Sequence, residues 1–147
     1  MITIARAYME DAETVAKSMT DREREEMHIE FGWSVVSEIS YCLHESHEAY
    51  TVSVDSTPCL VFGVIRHPGV RAGHMWFIGS KSTYAKNAME FARASSEVLD
   101  DLADTFSELK AYACNSDKKL CRWLGFLGFE KIAEYPESRQ SEYLVRF

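Results

Sequence analysis

The chain has 147 residues, 46% of them hydrophobic and 27% charged, a size and balance that fit one soluble domain able to bury a core without disulfide or metal. Sixteen lysines and arginines against 23 aspartates and glutamates give a net charge of −7, which argues against a protein that coats nucleic acid or an anionic membrane. Charge interrupts every apolar run well short of the roughly 18 residues that a membrane span needs, and four cysteines without a CxxC pair or an apolar signal segment point to a reducing cytoplasm.

In chain order, Ile2 to Tyr8 alternates at period two and predicts a first strand. Glu10 to Met19 places Ala12, Val15, Ala16 and Met19 on one helical face, and Thr20 then offers an N-cap, with Glu23 in capping-box position, for a charged helix over Asp21 to Glu30. A third helix is expected from Ser34 to Glu45 on the stripe Val35, Val36, Ile39, Cys42 and Leu43. Strands Ala49 to Asp55 and Cys59 to Arg66 flank the turn signal Ser56-Thr57-Pro58 and predict an antiparallel hairpin ended by Pro68-Gly69. Gly73 to Gly79 reads as a short apolar strand and Ser80 to Thr83 as a polar loop. Ala88, Phe91, Ala92, Ser95, Leu99, Leu102 and Phe106 then recur at helical spacing, so one long helix is expected over Ala85 to Phe106. A strand over Leu109 to Asn115, a helix over Asp117 to Leu127 and closing strands Glu130 to Tyr135 and Ser141 to Phe147 complete the series. No repeat or linker interrupts it, so residues 1–147 are expected to form a single domain.

Charge is unevenly spread. Glu10 to Glu30 holds eight acids against Lys17, Arg22 and Arg24, and Glu97 to Glu108 holds five acids and no base. Between Arg66 and Arg93 the sign reverses, with Arg66, Arg71, Lys81, Lys86 and Arg93 against Glu90, and Lys118, Lys119 and Arg122 form a second basic cluster. A basic middle in an acidic protein suits a small anion.

The order of elements implies an α/β (α+β) fold, a central mixed sheet flanked by helices. This order resembles the GNAT acetyltransferase superfamily, and Asn115 to Phe129, in which an Asn ends a strand and a helix runs into Leu127-Gly128-Phe129, is similar to its closing motif. Arg122-Trp123-Leu124 before Leu127-Gly128, with Trp76-Phe77 ahead of the long helix, resembles a small acetyltransferase-like family of tailed bacteriophages that includes an internal virion protein.

The resemblance implies acetyl transfer from acetyl-coenzyme A to an amine, with no metal. Convergent N–H groups at a helix start would receive the pyrophosphate, and Gly79, Ser80, Lys81, Ser82 and Thr83 occupy that place. Lys81 and Lys86 would neutralise phosphate, the strand amides near Phe77 and Ile78 would meet the pantetheine arm, and Asn115 would face it from the next strand. The chain departs from the family in two places: the loop lacks the usual Gly-x-Gly or Gly-x-Ala, and Leu124 stands where a general-acid Tyr is usual. Cys121 one turn earlier, Tyr84 and Tyr112 are the replacements open to it. His74 is the first candidate for the general base by type and place, with Glu38, Glu45 and Glu48 as alternatives and a solvated structural histidine as the competing reading.

His44 and His47 near Cys42 lack zinc spacing and read as surface histidines. Cys114 and Cys121 read as buried small hydrophobes, Trp76, Trp123, Phe126 and Phe129 as core aromatics rather than a binding floor, and Glu97 to Glu108 as a solvated helix face. Three functional classes follow: an N-acetyltransferase with a protein or small-molecule amine acceptor, a GNAT-fold module that binds a host protein without turnover, and a virion component.

Overall fold

A computed structural model describes residues 1–80 and 82–147, apart from the side chains of Glu30, Tyr84 and Ala85. Its elements are β1 (Ile2–Arg6), α1 (Asp11–Ser18), α2 (Asp21–Phe31), α3 (Val35–Glu45), β2 (Glu48–Val54), β3 (Thr57–Arg66), β4 (Ala72–Gly79), α4 (Ser82–Lys86), α5 (Ala88–Leu102), β5 (Glu108–Cys114), α6 (Lys118–Phe126), β6 (Glu130–Tyr135) and β7 (Gln140–Arg146). The seven strands follow the order β1-β2-β3-β4-β5-β7-β6, with β4 and β5 parallel and β1-β2, β2-β3, β5-β7 and β6-β7 antiparallel. This is the mixed α/β sheet that the element order predicts. The chain forms two compact units, one of Met1–Ile65 with Trp76–Thr83 and the other of Arg66–Met75 with Tyr84–Phe147.

In the first unit, Val15, Met19, Met27, Val35 and Ile39 of the three helices pack with Val61, Trp76 and Ile78 of the sheet. Burial of such side chains contributes about 1.5–3 kcal/mol each. The capping box forms as its spacing predicts: the Thr20 hydroxyl accepts from the Glu23 N–H at 3.1 Å and the Glu23 carboxylate from the Thr20 N–H at 2.8 Å. Asp11 secures the entry to α1, accepting from the Tyr8 N–H at 2.9 Å and from the Thr51 hydroxyl at 2.7 Å. The β2-β3 hairpin turns one residue earlier than expected. Asp55 and Ser56 both adopt left-handed φ, 48° and 70°, as a two-residue turn of matching twist requires, so Pro58 falls inside β3 opposite Ser53, beside an irregularity in the ladder.

In the second unit, α5 buries Phe91, Ala92, Ser95, Leu99 and Leu102. Trp123 of α6 stacks on Phe91 at 4.9 Å and donates to the Ser95 hydroxyl at 2.8 Å. The single helix expected over Ala85 to Phe106 is two, because Asn87 has φ −124° and ψ 32°. Phe106 lies beyond α5, yet it is fully buried and its N–H still reaches the Leu102 carbonyl at 2.9 Å. That extra turn is why the apolar spacing continues past the helix end. Glu97, Asp100 and Asp101 are exposed on α5, as a solvated face requires, but Asp104 lies beyond the helix and Glu108, half-buried, opens β5. Asp117 caps α6 by accepting from the Leu120 N–H, and Gly128 at φ 94° ends the helical turn, a conformation that costs a side-chain-bearing residue steric strain. Among the described residues, no helix is long and apolar enough to cross a membrane.

Candidate functional site

The expected phosphate loop begins where β4 leaves the sheet. A Cβ at Gly79 would lie 2.5 Å from the Leu60 Cα, so β3 and β4 approach at a distance that only glycine allows. The Ser80 N–H donates to the Cys59 carbonyl at 2.9 Å. Because alternate residues of a strand turn their main-chain groups to opposite edges, Ile78 shares the edge toward β3 with Ser80, while Phe77 and Gly79 face the other edge. Only Phe77 of the expected Phe77 and Ile78 pair therefore has its amide on the edge away from β3.

The Ser80 hydroxyl pairs with that of Ser82 at 2.7 Å and accepts from the Ser82 N–H at 3.3 Å. α4 consequently starts at Ser82, inside the segment expected to be a loop. Thr83 is 1% exposed, and its Oγ1 has no hydrogen-bond partner among the described residues. Lys81 lies outside the described residues, as does the Tyr84 side chain. Lys86 ends α4, exposed.

His74 lies on β4 in register with Lys110 of β5. Its Nδ1 is 3.3 Å from Nε2 of His67. Burial, and then the His67 imidazole, hold His74 below its ordinary value, so the neutral, proton-accepting form is favoured. On the same sheet face, Glu142 of β7 is 7% exposed, accepts from the Tyr135 hydroxyl at 2.6 Å and pairs with the Lys110 ammonium at 3.3 Å. The Tyr135 hydrogen bond, ahead of Lys110, lowers the Glu142 carboxyl below the usual range. Half-exposed Tyr112 stands opposite Glu142 in register. Sequence reasoning missed this network; an acid between the buried Ser141 and Tyr143 of β7 was the available signal.

Cys121 lies elsewhere. Its thiol donates to the Cys114 carbonyl at 3.7 Å and hydrogen-bonds Tyr143, while burial first, then this bond, pushes the Tyr143 phenol up to about 12. Cys114 is exposed and Cys121 half-buried, so neither is the buried hydrophobe expected: Cys114 is the last residue of β5, and the buried face of α6 is Leu120, Trp123 and Leu124. Tyr143 pairs with Ala111, on the sheet face opposite Lys110. Cys114 is four residues beyond Lys110, roughly 13 Å along the strand. His74 and Cys121 thus do not meet. Asn115 accepts the Ser141 hydroxyl on its Oδ1 and gives its N–H to the Arg139 carbonyl at 2.8 Å, which locks β5 to the start of β7.

Leu124 is fully buried, and Trp76, Trp123 and Phe129 are core residues. The Trp76 indole donates to the Ser46 hydroxyl at 2.7 Å. Phe126 is the exception, 51% exposed beside a shallow groove of about 100 Å³ between α5 and α6. Ala88, Met89, Ala92, Trp123 and Phe126 line it together with the exposed cations Lys119 and Arg122. Among the alternative bases, Glu38 accepts the Cys42 thiol, Glu48 accepts the Tyr50 hydroxyl at 2.6 Å, and Glu45 stands 3.7 Å from His44. Burial, with Glu38 beside it, pushes the Cys42 thiol up to about 12. Among the described residues no three histidine, cysteine or acidic side chains are grouped to hold a metal.

No family model matches the sequence, and no curated protein matches it either. Solved structures do. A GNAT-family acetyltransferase from Bacillus anthracis superposes with a TM-score of 0.73 at 9% identity, covering 99% of this chain and 94% of that one. The ribosomal-protein-S5-alanine acetyltransferase of Vibrio fischeri gives 0.64 at 16% identity over 99% and 92% of the two chains. The microcin C7 self-immunity acetyltransferase MccE, solved with acetyl-CoA and AMP, gives 0.70 at 12% identity over 99% and 92%. The architecture is therefore that of the GNAT acetyltransferases.

Proposed function

We propose that the protein is an N-acyltransferase, one domain over residues 1–147, that moves an acetyl group from acetyl-coenzyme A to an amine of a protein or small molecule. The observation that carries this reading is the correspondence with acetyltransferase structures over nearly all of both chains. The α5-α6 groove supports it independently. Its apolar walls suit a flat ring system, and Lys119 and Arg122 supply charge for phosphate. In this reading the free amine attacks the thioester carbonyl, the C–S bond breaks, and neutral His74 takes the proton that the nitrogen loses, passing it to His67 at 3.3 Å. The departing thiolate takes its proton from solvent, since Cys121 is remote from His74.

One observation favours a second reading. Leu124, buried and without a hydroxyl, fills the place of the family's usual acid, which suits a GNAT-fold phage protein that binds a host protein, or serves in the virion, without turnover.

Calorimetric titration with acetyl-coenzyme A separates the two. The transferase reading expects micromolar binding, on the order of −8 kcal/mol, weakened tenfold or more in the Lys119→Glu, Arg122→Glu double variant. No heat at millimolar ligand would leave the scaffold.

A further inference from the structure

The acidic charge and the exposed aromatic surface fall in the same stretch of chain. Residues 1–65 hold 12 of the 23 acids but 4 of the 16 bases, and within them residues 21–48 hold eight acids against two bases, net −6 in a chain whose total is −7. Both bases are already engaged: Arg22 pairs with Glu26 at 3.1 Å, while Arg24 pairs with Asp21 and donates to the Ala16 and Met19 carbonyls. The same stretch leaves Ile29 75%, Phe31 50%, Trp33 46% and Tyr41 49% exposed. Trp33 and Tyr41 touch edge to face at 5.3 Å. Glu45 follows Tyr41 by four residues on α3, so this acid shares a helix face with the Trp33–Tyr41 pair.

We propose that this surface of α2 and α3 is a docking site for a lysine- and arginine-rich segment of another protein. Large exposed apolar side chains mark interaction surfaces when they gather rather than scatter, and the charge around them selects the partner. Cationic side chains gain from the carboxylates and from the faces of Trp33 and Tyr41, while their methylene stems cover the apolar ring edges. A second copy is a poor occupant, because a two-fold pairing would set net −6 against net −6. Nucleic acid and anionic membranes are repelled for the same reason. The proposal stands whether or not the protein transfers an acyl group.

The test uses the full chain and a short synthetic peptide alternating lysine, arginine and leucine, with a glutamate-rich peptide of equal length as control. Trp33 is the exposed one of three tryptophans, Trp76 and Trp123 being 9% and 4% exposed, so its fluorescence reports occupation directly. The expected result is binding of the basic peptide alone, weakened by salt and reduced about tenfold in Tyr41→Ala by fluorescence and in Trp33→Ala by calorimetric titration. Lys119→Glu should leave it unchanged. Thermal melts confirm that the variants fold, and Tyr41→Ser serves if Trp33→Ala does not. Absence of binding, equal affinity in the aromatic variants, or a wild-type dimer that Tyr41→Ala dissociates would each overturn the proposal.

Discussion

Helices α2 and α5 are held in opposite ways. α2 buries Met27 and is otherwise fixed by its ends: the Thr20 and Glu23 capping box starts it, and Gly32 at φ 74° stops it. α5 lacks a side-chain cap at Asn87 and is fixed by its face, five residues of which are buried, with the Ser95 hydroxyl accepting from Trp123. A helix secured at its ends keeps its sides for solvent or a partner. One secured by its side becomes part of the core and lends only its rim to a ligand, as α5 lends Ala88, Met89 and Ala92 to the groove.

The contrast can be broken most sharply at Trp123. Trp123→Ala removes the ring stacked on Phe91 and leaves the Ser95 hydroxyl without its donor, and a loss of about 3–5 kcal/mol is expected. Urea unfolding measures it; a loss below about 1 kcal/mol would mean that α5 is not held by its face. A smaller effect is expected from Thr20→Ala, which removes one half of the capping box and costs about 1 kcal/mol. The far-ultraviolet signal should show that the helix frays at its start while the core persists.

The smallest effect lies at His74. Its depressed value means that the folded chain binds fewer protons than the unfolded chain below the ordinary imidazole value of 6.5. This contribution to stability is complete above pH 6.5 and is lost as pH falls from there through the folded value. His74→Gln should flatten the pH dependence in that window and leave stability at pH 8 nearly unchanged, as read from melts across the range. An unaltered profile would assign the acid sensitivity to other groups.

Element order was legible because period and punctuation are local. Thr20 with Glu23 marks the helix start expected of it, and Asp117 caps the helix expected to begin there. The Asn87 break was not legible, since neither proline nor glycine marks it, and the far end of α5 was overrun because Phe106 is buried without being helical. The candidate site was legible only in pieces. Ser80 meets Ser82 at the start of α4 and His74 stands on β4, whereas Cys121 faces a different neighbourhood.

Residue type and spacing by themselves determined most of the helices and strands, the capping box at Thr20 and the placing of all the net negative charge in the first 65 residues. These depend on neighbours one to four positions apart. Tertiary structure alone decided that His67 meets His74, that Lys110 and Tyr135 meet Glu142, that Asn115 is engaged by Ser141, and that α5 and α6 leave a cation-flanked groove between them. Such pairings depend on register and packing between distant segments, where a shift of one residue moves a side chain to the other face of the sheet.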